Sequence, residues 1–149
     1  MRLLIQTGLI ALMLAATAAG AEELSPVGLW KNIDDVTGKP KALIRISEVN
    51  GELQGRIEKL LRTDLPDANP RCTAGQGDRK NQPIVGLVFL SGLKKSGEHE
   101  YSGGEILDPD NGKTNRSKLN VLDGGKKLDV RGYIGMPMLG RSQVWLREQ

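Results

Sequence analysis

Polar and apolar residues alternate along much of the chain. From Ala42 to Val49, Ala42, Ile44 and Ile46 fall on one face and Arg45 and Ser47 on the other, the period-two pattern of a half-buried strand. Asn50-Gly51 follows, a dipeptide suited to the positive φ angles of a tight hairpin turn. Beyond it Leu53, Gly55 and Ile57 continue the inner face, while Glu52, Gln54, Arg56 and Glu58 meet water. Strand and turn signals then recur about every ten residues. They give strands at Tyr101 to Leu107, Lys113 to Leu122 and Lys126 to Ile134, separated by Asp108-Pro109-Asp110-Asn111-Gly112 and Asp123-Gly124-Gly125. In the third of these Leu128, Val130 and Ile134 face inward, and Lys127, Asp129 and Arg131 outward.

A first strand around Gly28 to Asp34 and a last one from Arg141 to Arg147 frame the series. Ile84 to Leu90 is apolar on both faces, which predicts a central strand covered on its outer side or a helical turn near it. The result is an all-β chain, a single antiparallel up-and-down barrel of about eight strands, because closure removes exposed sheet edges. Leu61 to Gln82 breaks the rhythm. This long polar connection holds Pro66, Pro70 and Cys72, and a connection of that length acts as a lid, acts as a binding loop or carries a short helix.

The N-terminus differs from the rest. Arg2 precedes a mostly apolar Leu3 to Leu14, and Ala19-Gly20-Ala21 supplies the small residues that a signal peptidase reads, so residues 1–21 form a signal peptide cut before Glu22. Gln6, Thr7 and Gly8 interrupt the apolar run, which falls short of the roughly 20 residues of a membrane span. Residues 22–149 then form one domain, located in the periplasm or secreted, with no membrane span of its own. Cys72 is the one cysteine, so no internal disulfide can form.

Charge adds little. The formal net charge is +3, spread without runs, and only 3% of residues are aromatic, which argues against a nucleic-acid surface. Asn111-Gly112-Lys113-Thr114 has the end of a phosphate-binding loop but Leu107 where its first glycine belongs. As a calcium loop, Asp108 to Leu119 has Gly112 one place early and Leu119 in place of the bidentate glutamate. His99 and Cys72 are too few for a zinc site, and His99 sits in the hydrophilic turn Lys94 to Glu100 with no nucleophile motif beside it. Paired carboxylates from Asp34, Asp35, Asp64, Asp67 and Asp78 remain open. No catalytic motif, metal site or cofactor emerges, and the chain reads as a non-enzyme.

Asp78-Arg79-Lys80-Asn81 is the strongest polar cluster, placed where the long connection meets the most apolar segment. Arg79 or Lys80 would hold an anionic head group and Asp78 would orient it; the competing reading is an ion-paired loop end.

Two stretches carry a resemblance. Gly28-Leu29-Trp30, with Arg147 following Val144-Trp145-Leu146, resembles the lipocalin arrangement in which an early Trp packs under a late Arg at the closed end of a barrel. Ser25 to Trp30, Gly77 to Leu87, Asp108 to Thr114, Val130 to Gly135 and Leu139-Gly140-Arg141 together are similar to the exported bacterial domain-of-unknown-function family 2147. That resemblance implies a lipocalin-like barrel in the periplasm and no established reaction. Members of that family often carry further cysteines shortly after the position of Cys72 and near Ser117, and here Gly75 and Ser117 stand instead. Trp30 and Arg147 are thus expected to close the barrel base through a cation–π contact.

The functional expectation is a barrel that binds a small apolar or amphiphilic molecule in its interior. The alternative is an envelope interaction module that meets another protein and whose barrel is filled. An interior cavity of roughly 300 Å³ or more favours the first.

Overall fold

Eight strands follow one another around the molecule: β1 (Gly28–Ile33), β2 (Pro40–Val49), β3 (Glu52–Leu60), β4 (Val88–Lys95), β5 (Glu100–Leu107), β6 (Thr114–Leu122), β7 (Lys127–Tyr133) and β8 (Gly140–Arg147). Each pairs antiparallel with the next, and β8 returns to β1 through Trp30 opposite Arg147 and Asn32 opposite Trp145, closing the barrel. These elements belong to a computed structural model that describes residues 25–63, 65, 70–136, 138 and 140–148. The signal peptide read in residues 1–21, and Asp64, Pro66 and Asp67 of the long connection, lie outside the described residues.

The alternation read in the sequence sets the wall. Ala42, Ile44 and Ile46 of β2 and Leu53 and Ile57 of β3 are buried, and Asn50 (φ 53°) and Gly51 (φ 79°) make the left-handed turn between them. The lower half of the interior is solid. Trp30, Ile46, Leu90, Leu93, Leu119, Leu128 and Trp145 are all fully buried there, as expected where eight strands leave room only for side chains.

Beneath them the residues just before β1 form a stopper. The Trp30 indole Nε1 donates to the Pro26 carbonyl at 2.8 Å, and the Arg147 guanidinium lies over the Trp30 ring, 4.3 Å from its centroid. Arg147 also donates to the carbonyls of Gly125 at 2.6 Å, Val27 at 3.2 Å and Ser25.

Three expectations need correction. The apolar run Ile84 to Leu90 is not one strand. Gly86 has φ 93°, Gly86 N–H donates to the Ile57 carbonyl and Leu87 N–H to that of Ile84, so residues 84–87 turn against β3 before β4 begins at Val88. Lys94 and Lys95, read as turn, end that strand. Ile134 does not face inward either. β7 stops at Tyr133, and Ile134 is 72% exposed.

The long connection is compact where it is described. A single 3₁₀ turn, Gly77–Arg79, stands where a short helix was one option. Cys72 anchors it: its N–H donates to Gln82 O, and its carbonyl accepts from the N–H groups of Gly75 and Asn81. Arg71 bridges to Pro83, and the buried Cys72 thiol donates to Pro109 O at 3.9 Å. This holds the connection against the β5–β6 turn. Gly112 there (φ 73°) comes so close to Ala74 that a Cβ would lie 1.8 Å from the Ala74 carbonyl oxygen.

Candidate functional site

The upper half of the barrel is hollow. A cavity of about 600 Å³ opens at the end that carries the β1–β2, β5–β6 and β7–β8 turns and the long connection. Ala42, Ile44, Ile57, Phe89, Ile106 and Val130 give it apolar walls, and Ile84 and Pro70 of the connection cover one side. The inward position on β2 nearest the mouth is held by a small residue, Ala42, where a larger one would fill the space.

Three strand amides interrupt the apolar lining, Asn115 of β6 and, on neighbouring strands, a hydrogen-bonded pair. Asn32 of β1 and Gln143 of β8 both border the cavity. Gln143 Oε1 accepts from Trp145 Nε1 at 3.3 Å and from Asn32 Nδ2 at 3.0 Å. Asn32 is 93% buried, and its Oδ1 has no hydrogen-bond partner among the described residues. A buried acceptor without a donor is uncommon in a folded protein and points to a group from outside the chain.

Charge is confined to the rim. Arg141 at the start of β8 donates to Asp35 Oδ2 at 2.6 Å, tying the β1–β2 turn to the β7–β8 side and raising the pKa of Arg141. Across the mouth Asp110 Oδ2 lies 3.4 Å from Lys41 Nζ and Asp110 Oδ1 lies 3.8 Å from Arg62. Asp34 accepts from the N–H groups of Thr37 and Val36, and these two bonds hold its carboxyl below the usual aspartate range. Asp108 caps its own turn in the same way, accepting from Asp110 N–H at 2.9 Å and Asn111 Nδ2 at 3.1 Å. The aspartates that suggested a calcium loop are therefore occupied by their own backbone and by cations. No group of three or more His, Cys, Asp or Glu side chains suited to a metal occurs among the described residues.

A second recess of about 810 Å³ runs outside the barrel, along Leu29, Lys31, Leu43 and Arg62. Three of its basic residues are already matched to carboxylates, Lys31 to Glu148 at 2.5 Å and Lys41 and Arg62 to Asp110. The inner cavity differs in being walled by the inward faces of barrel strands.

One family model, described as an uncharacterized protein conserved in bacteria (DUF2147), matches residues 28–147, the span from the first strand to the last. The chain belongs to DUF2147. Among solved structures this DUF2147 chain is similar to protein HP1028 from Helicobacter pylori, reported to belong to the lipocalin family, with a TM-score of 0.72, 20% identity and 84% of each chain covered. At that identity the likeness establishes a lipocalin-like fold. A search of the curated proteins found no match. No helix among the described residues is long and apolar enough to cross a membrane.

The residues singled out from the sequence divide into two groups in this DUF2147 barrel. Trp30 and Arg147 meet at its base. Asp78, Arg79 and Lys80 are brought together on and after the Gly77–Arg79 turn, with Asp78 and Lys80 exposed and Arg79 half-buried, but none of the three borders the cavity. Asp34 and Asp35 do border it, as adjacent residues of one turn, whereas Asp78 does not. His99 lies between β4 and β5, at the closed end, 3.9 Å from Glu98. Asn32 and Gln143 went unnoticed, though each shares an inward face with a tryptophan two residues away.

Proposed function

We propose that this DUF2147 protein is an exported binding protein whose barrel takes one small, partly apolar molecule into its open half. The observation that carries this reading is the cavity of about 600 Å³ with apolar barrel walls and an unpartnered, buried Asn32 Oδ1. Its size falls within the range of small-molecule pockets, roughly 300–1,000 Å³, and it pairs aliphatic and aromatic walls from the strands with amides at Asn32, Asn115 and Gln143 and charged residues from the turns. The unfilled upper half favours binding over an interaction module with a filled barrel. A lipocalin-like fold supports the same direction, as an argument by analogy. The signal-like residues 1–21 support action in the periplasm or outside the cell.

In this reading the ligand's apolar part lies against Ile44, Ile57, Phe89 and Ile106, and its affinity comes from apolar area withdrawn from water. Asp78, Arg79 and Lys80 lie away from the cavity and take no part in holding it.

Native mass spectrometry of protein purified from a periplasmic fraction without denaturation tests the proposal, recorded before and after solvent extraction. A discrete added mass that disappears on extraction is the expected result. The bare chain mass, together with no binding of a fluorescent apolar probe, overturns it.

A further inference from the structure

We infer that the cavity selects ligands whose buried polar end is neutral and both donates and accepts a hydrogen bond, an alcohol or a primary amide, over the corresponding carboxylate. This inference rests on the binding function proposed above and adds the chemistry of the ligand's polar end.

The argument begins with Trp145. An indole N–H can only donate, so the Gln143 atom that faces it must be the oxygen. That oxygen also faces the Asn32 amide at 3.0 Å, so the Asn32 atom there must be the nitrogen. Both amides are therefore oriented by one buried tryptophan, which is fully buried and packs against Phe89 with ring centroids 6.0 Å apart. What they leave over follows directly. Asn32 keeps an unmatched acceptor, Oδ1, and Gln143 keeps a donor, Nε2, for which no acceptor occurs among the described residues.

Once a small turn of the Asn32 side chain uncovers Oδ1, which is closed to solvent in this structure, a hydroxyl group satisfies both, donating to Asn32 Oδ1 and accepting from Gln143 Nε2. A primary amide does the same with its N–H and its carbonyl. A carboxylate has no proton to donate: it can accept from Gln143 but turns a negative oxygen toward the Asn32 carbonyl and leaves that acceptor unmatched. Among the described residues, each cation that lines the cavity is matched to a carboxylate and does not offset this. Lys41, Arg62 and Arg141 border the cavity only at the rim, each against Asp110 or Asp35, and Asp34 and Asp108 add further negative charge there. An alkane occupies the apolar walls but satisfies neither amide.

The test is displacement of a fluorescent apolar probe from the purified, delipidated protein at neutral pH by decan-1-ol, decanamide, decane and decanoate. Decanol and decanamide are expected to bind about ten- to a hundredfold more tightly than decanoate, the factor for one buried acceptor left unmatched. Equal affinities, or tighter binding of decanoate, overturn the selectivity and leave the cavity a binding site. Failure of all four to displace the probe overturns the binding function itself, and the selectivity with it. Asn32→Leu keeps the Trp145–Gln143 bond and removes the acceptor. It should abolish the preference for decanol and decanamide over decanoate, because the remaining Gln143 Nε2 donor serves all three, while leaving decane binding equal or tighter; retention of the full preference overturns the role of Asn32. The wild-type series decides the selectivity alone if that variant does not fold.

Discussion

Replacing Arg147 with Met keeps most of the apolar stem and removes the guanidinium from the closed end. Three backbone carbonyls, of Gly125, Val27 and Ser25, then lose their donor, and the Trp30 face loses its cation. The bonds are charge-assisted but partly solvated, so about 1 kcal/mol each is a fair estimate. The cation–π contact adds about 1 kcal/mol at a half-buried site. A loss of roughly 3–4 kcal/mol follows, a large share of the 5–15 kcal/mol typical of a domain. Urea unfolding followed by tryptophan fluorescence measures it directly, since both indoles are buried in the native state. With a slope of about 2 kcal/mol per molar urea, the midpoint should fall by about 2 M. Arg147→Lys retains a cation but not the planar fork and should fall about half as far. A midpoint shift under about 0.5 M for Arg147→Met would refute the claim that this residue fastens the base. Burial lowers the Arg147 pKa, yet a guanidinium stays protonated at any ordinary pH, so the effect should not vary between mildly acidic and mildly alkaline buffers.

The other expectations concern the open end. Gly112→Ala places a methyl group against the Ala74 carbonyl in a left-handed backbone, so it should dislodge the long connection and speed labelling of the buried Cys72 by a thiol reagent at least about tenfold. Unchanged labelling would mean that the turn and the connection are not clamped together. Ala42→Trp should fill the upper half and cut binding of an apolar probe by about tenfold or more, with the circular dichroism of a β-barrel retained. Asp34 has a depressed folded pKa, so the order that it gives the β1–β2 turn is present above the ordinary value, about 3.9, and is lost as pH falls through the folded value. The amide NMR shifts of Val36 and Thr37 should accordingly titrate below that value; a midpoint at or above it would contradict the two hydrogen bonds.

Much of the architecture was legible because a barrel wall writes a simple code. One face of each strand meets the interior, so Ala42, Ile44, Ile46 and Leu53, Ile57 announced both their strands and their sides. The code failed where a segment serves two surfaces. Residues 84–87 are apolar because Ile84 lines the cavity from above and Leu87 is buried beside β3, not because they form a strand. Lys94 and Lys95 looked like a turn because β4 ends at the solvated base, where charge is tolerated within a strand. The candidate site was harder to find. Its polar members are single residues on strands 111 positions apart, joined only when β8 pairs with β1. The available signal was a polar residue at an inward position, Asn32 after Trp30 and Gln143 before Trp145. The charged run Asp78-Arg79-Lys80 drew notice instead, because adjacency in sequence is visible and adjacency across a closure is not.

That closure also dictates when the molecule can finish folding. The hydrogen bond from Arg147 to Val27 spans 120 residues, and β1 finds its second partner only in the last strand. Contacts of such long sequence separation form late and slowly. Until β8 arrives, β1 and β7 each present a raw edge, the kind that recruits other chains into aggregates. A chain stopped a few residues short of Arg147 would keep both edges open and its base unstoppered. The nascent chain thus stays unfinished until its final strand is delivered, so a chain bound for a narrow translocation channel would reach it before it could lock.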